Sequence, residues 1–341
     1  MPQSFPTRFA SFRELVTLPW FDWVEGELTL DPNVGSSIDV HTHLALAYVL
    51  RQRLDLRREH AKTEHYLPLD GALDLDVYAN VNFASFDLAR MKRDLSLGAV
   101  TKGGMRRTHT TGNLLREMRA LGITTSVLLA IDFPVLSDNA GDWLRAARGE
   151  DALVVFGSVH PYRRDIEGEL DRQLAMGARG IKVHPAVQTV HPSARRCLRL
   201  YQACGKRGLP VFWHCGPVGI EPPLGRYLTR VQRYARAIEQ CPDTTFVLGH
   251  TGALEVEEAL ELHREFPNVW VEVASQGLPA VRRILERAAP DRIMMGSDWP
   301  FYHQAMPLAK LLIATEGAPD VRRGVLRDNA SRLLGLDGAT S

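Results

Sequence analysis

Half of the twelve histidines in this 341-residue chain stand at the ends of short apolar runs rich in β-branched residues. They are His41, His43, His160, His184, His214 and His250, and Asp298 ends a further run in the same way. Neutral imidazole and carboxylate groups bind Zn²⁺ and similar divalent ions, and both act as general acids or bases. If the runs are strands of one sheet, these residues meet at one end of it and predict a metal centre that activates water.

The pair His41 and His43 flanks Thr42 at the end of the first run. Residues i and i+2 of a strand point to the same side, so both imidazoles can face one point. Two surface histidines at a strand end would give the same pattern. The other residues at strand ends favour the metal interpretation of this pair.

His214 and His250 end the fifth and sixth runs, and a glycine follows each of them after one residue. Glycine lets the backbone turn close to a bound ligand. Asp298 lies in the segment Gly-Ser-Asp-Trp-Pro, where its carboxylate can bind a metal, accept a proton from activated water, or do both. Each residue alone could be a polar group at a sheet edge, but their shared position indicates one site.

Lys182 is one of only six lysines, and it is the only one inside an apolar strand-like run. A buried lysine is costly unless it is neutral, paired or modified. Three interpretations stay open: a carbamylated lysine that bridges two metal ions, an ammonium group that pairs with a carboxylate or an anionic substrate, and a structural ion pair. His184 lies on the same strand face and is expected to contact the substrate.

Several further residues carry weaker signals. Glu272 lies in a strand whose register the pattern does not determine. Cys215 is expected to be a core thiol because it points away from its neighbour His214, and His160 is expected to close the third strand. Four residues after the first strand could reach over the site or simply occupy the surface: Tyr66, Arg106, Arg107 and His109.

Eight apolar runs predict the strands that position these residues. They are 37–41, 123–131, 153–160, 180–184, 209–214, 244–250, 269–274 and 291–298. Continuous rather than alternating hydrophobicity is typical of parallel strands buried on both faces, and from the second run onward the starts lie 22 to 35 residues apart, a spacing typical of strand–helix units. We predict a (β/α)8 TIM barrel. An open doubly wound sheet is the weaker alternative, because no Gly-rich phosphate loop follows the first strand.

Amphipathic helices are predicted between the strands, at 164–176, 194–206, 226–239, 255–265 and 280–289, with another at 320–336 that packs on the outside. Residues 45–107 are predicted to be a helical insertion with two or three helices. Loops after barrel strands lie at the active-site face, so this insertion is expected to cap the site. Residues 1–35 are expected to form an irregular arm anchored by Trp20 and Trp23, and residues 1–341 a single domain.

The composition excludes several classes of protein. With 45% hydrophobic residues the chain can build a core, and 41 basic against 40 acidic residues give no general attraction to nucleic acid. No apolar stretch would cross a membrane, no secretory signal is recognised, and four cysteines are too few for a disulfide framework. We expect a cytoplasmic enzyme with reduced thiols, a small-molecule substrate and, by default, a homo-oligomer such as a dimer.

Six motifs stand in order along the chain: DVHTH at 39–43, GIKVHP at 180–185, WHCG at 213–216, GHTG at 249–252, GSDWP at 296–300 and NASRLLGL at 329–336. With these motifs the chain resembles the amidohydrolase superfamily, in particular the amidohydrolase-2 branch related to aminocarboxymuconate-semialdehyde decarboxylase. The long insertion and the arm depart from the pattern, which leaves the substrate undetermined.

The resemblance implies a distorted (β/α)8 barrel with one or two divalent metal ions at its mouth, and Zn²⁺ is the expected ion. The metal ligands it implies are His41, His43, His214 and Asp298. His250 would be a catalytic acid or base beside a single ion, or a ligand of a second one. Lys182 matches the position of the carbamylated bridging lysine in binuclear members.

Three functions are compatible with these residues. The first is a metal-dependent hydrolase of a small-molecule amide, ester or lactone, in which Asp298 takes the proton of the attacking water and His250 assists the leaving group. The second is a non-oxidative decarboxylase of an aromatic or muconate-type carboxylic acid, in which Lys182 and arginines of the insertion hold the carboxylate. The third is a non-catalytic metal-binding scaffold, against which the complete ligand set argues.

Overall fold

Eight parallel strands form the central sheet of the computed structural model, which describes residues 4–47, 51–97, 101–133 and 137–336. The strands are β1 (Ser37–Thr42), β2 (Ile123–Leu129), β3 (Leu153–Gly157), β4 (Gly180–Val183), β5 (Val211–His214), β6 (Phe246–Gly249), β7 (Val269–Glu272) and β8 (Ile293–Met294). Each strand pairs in parallel with the next one along the chain. All eight predicted strands are confirmed, and their continuous apolar character follows from burial on both faces.

The sheet curls until its first and last strands meet. Val40 of β1 donates a backbone hydrogen bond of 3.0 Å to Met295, just after β8. Thr42 forms a parallel bridge with Trp299, further along the same edge. The predicted (β/α)8 TIM barrel is therefore confirmed, and the carboxyl ends of all eight strands share one rim.

Thirteen α-helices lie around the sheet in the described part of the chain. They are α1 (Ser85–Leu97), α2 (Thr111–Ala120), α3 (Asn139–Ala146), α4 (Ile166–Ala175), α5 (Pro185–Gln188), α6 (Arg195–Gly205), α7 (Pro223–Thr229), α8 (Ala235–Gln240), α9 (Val256–Glu265), α10 (Leu278–Arg287), α11 (Ala305–Ala314), α12 (Pro319–Arg323) and α13 (Asn329–Leu334). None of these described helices is long and apolar enough to cross a membrane.

The helix predicted at 226–239 is broken into two. Arg230 is extended between α7 and α8, with ψ of 132°. The carbonyl of Thr229 accepts the N–H of Gly216 at 2.7 Å instead of continuing a helical ladder, and Glu255 accepts the N–H of Val231 at 2.8 Å. The break therefore ties this helix to the loops that follow β5 and β6.

The described part of the segment 45–107 contains one α-helix, fewer than the two or three helices predicted. Its described part holds α1, two 3₁₀ turns at Ala79–Asn82 and Met105–Thr108, and a two-residue strand, and the rest is irregular. Backbone bonds to the barrel loops replace helical ones: Tyr66 donates to the carbonyl of Pro300 at 3.1 Å, and Ala79 to that of Ser275 at 2.8 Å. These partners lie far away in sequence, so local periodicity could not reveal them.

The N-terminal arm is more regular than expected, because Phe21–Val24 and Glu27–Leu30 pair as an antiparallel hairpin. Trp20 is buried and packs against Phe5, so it anchors the arm as predicted. Trp23 does not, because it lies on the exposed side of the hairpin under the guanidinium of Arg13.

The C-terminal helix does not pack only on the outside of the barrel. From Pro319 to Leu334 it is continuous, with a π-helical segment at Gly324–Asp328. Ala330 and Leu334 join the apolar cluster of Val127, Phe212 and Met294, which belong to barrel strands. The helix thus covers apolar surface that strand ends would otherwise expose.

Helix α11 carries a second buried lysine that the sequence pattern did not single out. Lys310 is 1% exposed, and its Nζ donates to the carbonyl of Gln276 at 2.7 Å. Burial lowers the pKa of the Lys310 ammonium from 10.5 to about 7, against the attraction of Asp74 and Asp76. The fold therefore favours the neutral amine.

Replacing this lysine, Lys310→Met, is expected to weaken the pH dependence of stability. Between pH 7 and 10.5 the unfolded chain binds more protons at this residue, so the free energy of unfolding of the wild type rises with pH. In the variant that slope should fall by about 1 kcal/mol per pH unit. Urea unfolding at a series of pH values measures it, with the exposed Lys206→Met as control. Parallel curves for wild type and Lys310→Met would contradict the assignment.

Candidate metal centre

Three predicted ligands converge on one point at the rim, across the junction of β1 and β8. Oδ1 of Asp298 lies 3.5 Å from Nε2 of His41 and 3.3 Å from Nε2 of His43. The Asp298 backbone is left-handed, with φ of 64°, and its N–H donates to the carbonyl of His41 at 2.7 Å. A non-glycine residue in this region is strained, so the surrounding contacts hold the carboxylate in place.

In both His41 and His43, Nδ1, the ring nitrogen that faces away from Asp298, lies beside a hydrogen-bond acceptor. Nδ1 of His43 lies 2.8 Å from the carbonyl of Leu129, which can only accept, so Nδ1 carries the hydrogen and Nε2 offers its lone pair. Nδ1 of His41 lies 2.9 Å from Oε1 of Glu272. Nε2 of His41 is buried without a hydrogen-bond partner. Two oriented lone pairs and a carboxylate fit a divalent cation, and the outer hydrogen bonds are those that orient metal-binding histidines.

His214 and His250 lie beside this group. Nε2 of His250 is 3.2 Å from Nδ1 of His214, and the rings of His41 and His250 are 4.7 Å apart. One ligand atom each from His41, His250 and Glu272 also lies within 4.8 Å of the others. The rim therefore offers two adjacent sets of ligand atoms that share His41.

Glycines make the close approach of these loops possible. A Cβ on Gly216, after His214, would lie 1.8 Å from the carbonyl oxygen of Gly252, after His250. A Cβ on Gly296 would lie 2.3 Å from Oε2 of Glu272. Glycine is therefore required at positions 216 and 296 because the chain segments contact one another there. The sequence alone suggests a different reason for glycine after His214, the close approach of a bound ligand.

Glu272, whose direction the sequence left open, points into the barrel. It is fully buried, and its two oxygens accept from Nδ1 of His41 and from the backbone N–H groups of His250 and Ala274. Burial raises the pKa of the Glu272 carboxyl to about 8 against these donors. Because Nδ1 of His41 lies against one of these oxygens, and backbone N–H groups hold both, we assign Glu272 as the residue that orients His41.

Lys182 points into the same space. Its Nζ is buried without a hydrogen-bond partner and lies 4.6 Å from the ring centre of Phe212. Burial lowers the pKa of Lys182 to about 7, while Asp298 and Glu272 act in the opposite direction. A structural ion pair, one of the three predicted states, is absent here, because neither carboxylate lies within salt-bridge distance among the described residues.

Four imidazoles at the rim, those of His41, His184, His214 and His250, are held neutral. Burial lowers the pKa values of His41, His184 and His214 well below the ordinary value, and Lys182 and neighbouring histidines add to this. Burial also lowers the pKa of His250 to about 4, against the attraction of Asp298. Neutral imidazole is the form that binds a metal ion.

A cavity of about 420 Å³ opens over the centre. His43, His184, His214, His250 and Asp298 line its floor. His184 is stacked on His214, with ring centres 3.9 Å apart, and its Nδ1 accepts the N–H of Val187 at 3.4 Å. The walls include Tyr78, Asn80, Lys92, Leu95 and Tyr302.

The walls contain residues that sequence reasoning missed. Asn80 comes from the 3₁₀ turn Ala79–Asn82 of the insertion, Tyr78 directly precedes that turn, and Lys92 belongs to α1. Their positions depend on contacts with barrel loops, such as the bond between the Tyr302 hydroxyl and Oδ1 of Asn80 at 2.5 Å. No local sequence signal marks them.

The weaker candidates lie elsewhere. The guanidinium of Arg106 donates to the carbonyl of Leu46 at 2.6 Å, and Arg107 pairs with Glu64 near the surface. His160 bonds to the carbonyl of Gln188 at 3.0 Å. Cys215 is a buried core thiol, as expected. Tyr66 and His109 pack together, with ring centres 5.0 Å apart, under the insertion.

Comparison with known proteins agrees with this architecture. The sequence profile of the amidohydrolase family matches residues 38–336, whereas no curated protein matches the chain. An uncharacterized TIM-barrel protein from Bordetella bronchiseptica is 20% identical, with a TM-score of 0.62 over 89% of this chain and 99% of its own. A putative 2-pyrone-4,6-dicarboxylic acid hydrolase from Pseudomonas putida is 18% identical, with a TM-score of 0.57 over 89% and 98%. A 2,6-dihydroxybenzoate decarboxylase from Rhizobium is 17% identical, with a TM-score of 0.55 over 88% and 100%.

Proposed function

The chain belongs to the amidohydrolase family, and on that basis we propose that it is a metal-dependent hydrolase of a small-molecule amide, ester or lactone. The observation that supports this most is the convergence of Nε2 of His41 and Nε2 of His43 on one oxygen of Asp298. Enzymes of this family typically use a divalent metal, and the oriented lone pairs of the rim fit one. The family is given by the sequence match, whereas the reaction type and the substrate class are what we propose.

The residues that would hold the metal are His41, His43, His214 and Asp298, and Zn²⁺ suits their nitrogen and oxygen atoms. A bound divalent ion lowers the pKa of water and polarises a carbonyl oxygen. Lys182, if carbamylated, and His250 would hold a second ion. The unpartnered Nζ of Lys182 supports this state, because a neutral amine can add CO₂ and lose a proton to form the carbamate.

Asp298 is the proton acceptor in this proposal. Its carboxylate lines the cavity floor and accepts the proton of the water that attacks the substrate carbonyl. It then delivers that proton to the departing amine or alcohol, so the products are a carboxylic acid and the protonated leaving group. His184 lies on the same floor, where its second ring nitrogen can orient the substrate. The walls contributed by the insertion would exclude bulk water.

Decarboxylation is the second candidate, because some of the similar structures are decarboxylases. A decarboxylase needs cations around the substrate carboxylate. Arg106 and Arg107, expected for that task, are engaged away from the cavity. Among the described residues that line the cavity wall, one side chain is cationic, that of Lys92 in α1. We therefore place hydrolysis first.

A panel of amides, esters, lactones and aromatic carboxylates tests the proposal directly. With the Zn²⁺-loaded protein we expect acid release from at least one neutral substrate and no CO₂. A chelator should abolish this turnover, and added Zn²⁺ should restore it. Stoichiometric CO₂ release would establish decarboxylation instead. A chain that takes up no metal would contradict both candidates.

A further inference from the structure

A buried carboxylate lies behind the metal centre and is not part of it. Glu117 of α2 accepts hydrogen bonds from Nε1 of Trp299 at 2.8 Å and from the hydroxyl of Thr63. Nε2 of His65 lies 3.0 Å, and Nε2 of His303 3.9 Å, from the same carboxylate. Two distant segments of the chain, 63–65 and 299–303, therefore direct polar groups at one side chain.

The set His65, Glu117 and His303 has the composition of a metal site, but its hydrogen bonds have the opposite sense. The backbone N–H of Ala305 can only donate, and it does so to Nδ1 of His303 at 3.2 Å. The hydrogen of a neutral His303 then sits on Nε2, facing Glu117. Both oxygens of the Glu117 carboxylate already accept hydrogen bonds. We therefore interpret the three residues as a hydrogen-bonded cluster and not as a metal site.

The carboxylate is held in its ionised form. Burial would raise the pKa of Glu117, but His65, His303 and Thr63 lower it to about 2. An ionised carboxylate accepts from all its neighbours at once, and such bonds are stronger than those between neutral groups. Glu117 therefore fixes the groups that donate to it.

One of those groups belongs to the loop that carries Asp298. Trp299 follows Asp298 directly, and its carbonyl accepts the N–H of His43 at 2.7 Å. Its own N–H donates to the hydroxyl of Ser297 at 3.0 Å. The indole of Trp299 is fully buried, and its bond to Glu117 fixes the side chain that directly follows Asp298, the residue with the left-handed backbone.

The other groups belong to the insertion. Thr63 and His65 precede Tyr66 and Leu67, whose backbone N–H groups donate to Pro300 and Phe301, two and three residues after Asp298. The same insertion supplies Tyr78, Asn80 and Lys92 to the cavity wall. Glu117 thus lies under the point where the insertion runs beside the Asp298 loop.

We propose that Glu117 is a positioning residue that sets the orientation of Asp298 through Trp299 and docks the insertion through Thr63 and His65. This inference rests on the proposed metal centre. It links Asp298 to the insertion that supplies cavity-wall residues, so losing one carboxylate should disturb both metal binding and substrate binding.

The variant Glu117→Gln tests the proposal, because the amide keeps the shape but directs a donor at groups that are themselves donors. Loss of an outer-shell partner commonly weakens metal affinity by 10- to 100-fold, and we expect about tenfold here, with a raised KM. Competition with a chromophoric chelator measures the Zn²⁺ dissociation constant. Circular dichroism and Tm monitor folding.

Glu169→Gln is the matched control. Glu169 is equally buried in a helix and accepts from Arg172 and Gln173, but it lies on the outer layer, away from the cavity. It should lower Tm without changing Zn²⁺ affinity. A purely structural role for Glu117 would give the same result as this control.

The outcomes separate the two proposals. If the wild type binds Zn²⁺ and Glu117→Gln binds it equally well, the positioning role is wrong while the metal centre stands. If the wild type binds none, the metal centre itself is wrong. If Glu117→Gln does not fold, Trp299→Phe decides, because it removes the indole donor and keeps an aromatic ring; a folded Trp299→Phe with wild-type affinity overturns the proposal.

Discussion

Asp298→Asn should leave a folded chain whose turnover is lower by about 10²- to 10⁴-fold, the range contributed by a positioned general base. The amide has the same shape as the carboxylate, and the bond from the Asp298 N–H to the carbonyl of His41 remains. The variant cannot accept the proton of the attacking water. Steady-state kinetics on the best substrate of the panel, at saturating Zn²⁺, measure the loss as kcat.

The matched control is Asp243→Asn, which changes an exposed carboxylate far from the rim. It should keep turnover within about twofold, as surface substitutions usually do. The bound metal must be counted in parallel, so that a lost ion is not mistaken for a lost proton acceptor. Near-wild-type turnover in Asp298→Asn would remove Asp298 from the mechanism.

Lys182→Met is expected to lower the metal content from two ions per chain to one and to reduce turnover by about 100-fold, the upper range for loss of a partner at a metal site. Methionine keeps the length and apolar stem of lysine but cannot form a carbamate. The side chain lies against Phe212, where an apolar residue is tolerated. Elemental mass spectrometry on protein purified without chelator or metal-affinity resin gives the count.

Lys310→Met is the control for this experiment, because Lys310 of α11 is also buried with a lowered pKa but donates to the backbone carbonyl of Gln276. It should leave the metal content unchanged. A single ion per chain in the wild type would contradict the carbamate. Lys182 would then be a cation beside the substrate, and His250 the acid or base beside one metal.

The barrel could be predicted from sequence because its signals are local. Each strand lies within a continuous apolar run, and the last residues of four predicted runs are His41, His214, His250 and Asp298. Parallel strands place such positions on one rim. The convergence of these side chains therefore needed no knowledge of long-range contacts.

The remaining features depend on contacts between distant segments. The direction of Glu272 depends on strand register, which a four-residue strand does not reveal. The insertion forms backbone hydrogen bonds with barrel loops instead of helical ones. Its described part therefore has fewer helices than the sequence predicts. Lys310 is hidden in a helix that is apolar on every side, and the donors of Glu117 come from two segments that are distant from it in sequence.

The junction of β1 and β8 is also where the metal ligands divide, with His41 and His43 on one side and Asp298 on the other. A cation held there would act as a cross-link between the first and last strands of the barrel. Opening that junction would then require loss of the ion, so the loaded chain should unfold as one cooperative unit. Without the ion, the junction would depend on backbone contacts such as the bond from Val40 to Met295, and we expect local unfolding to begin there. Metal binding would therefore stabilise the closed barrel as well as assemble the site.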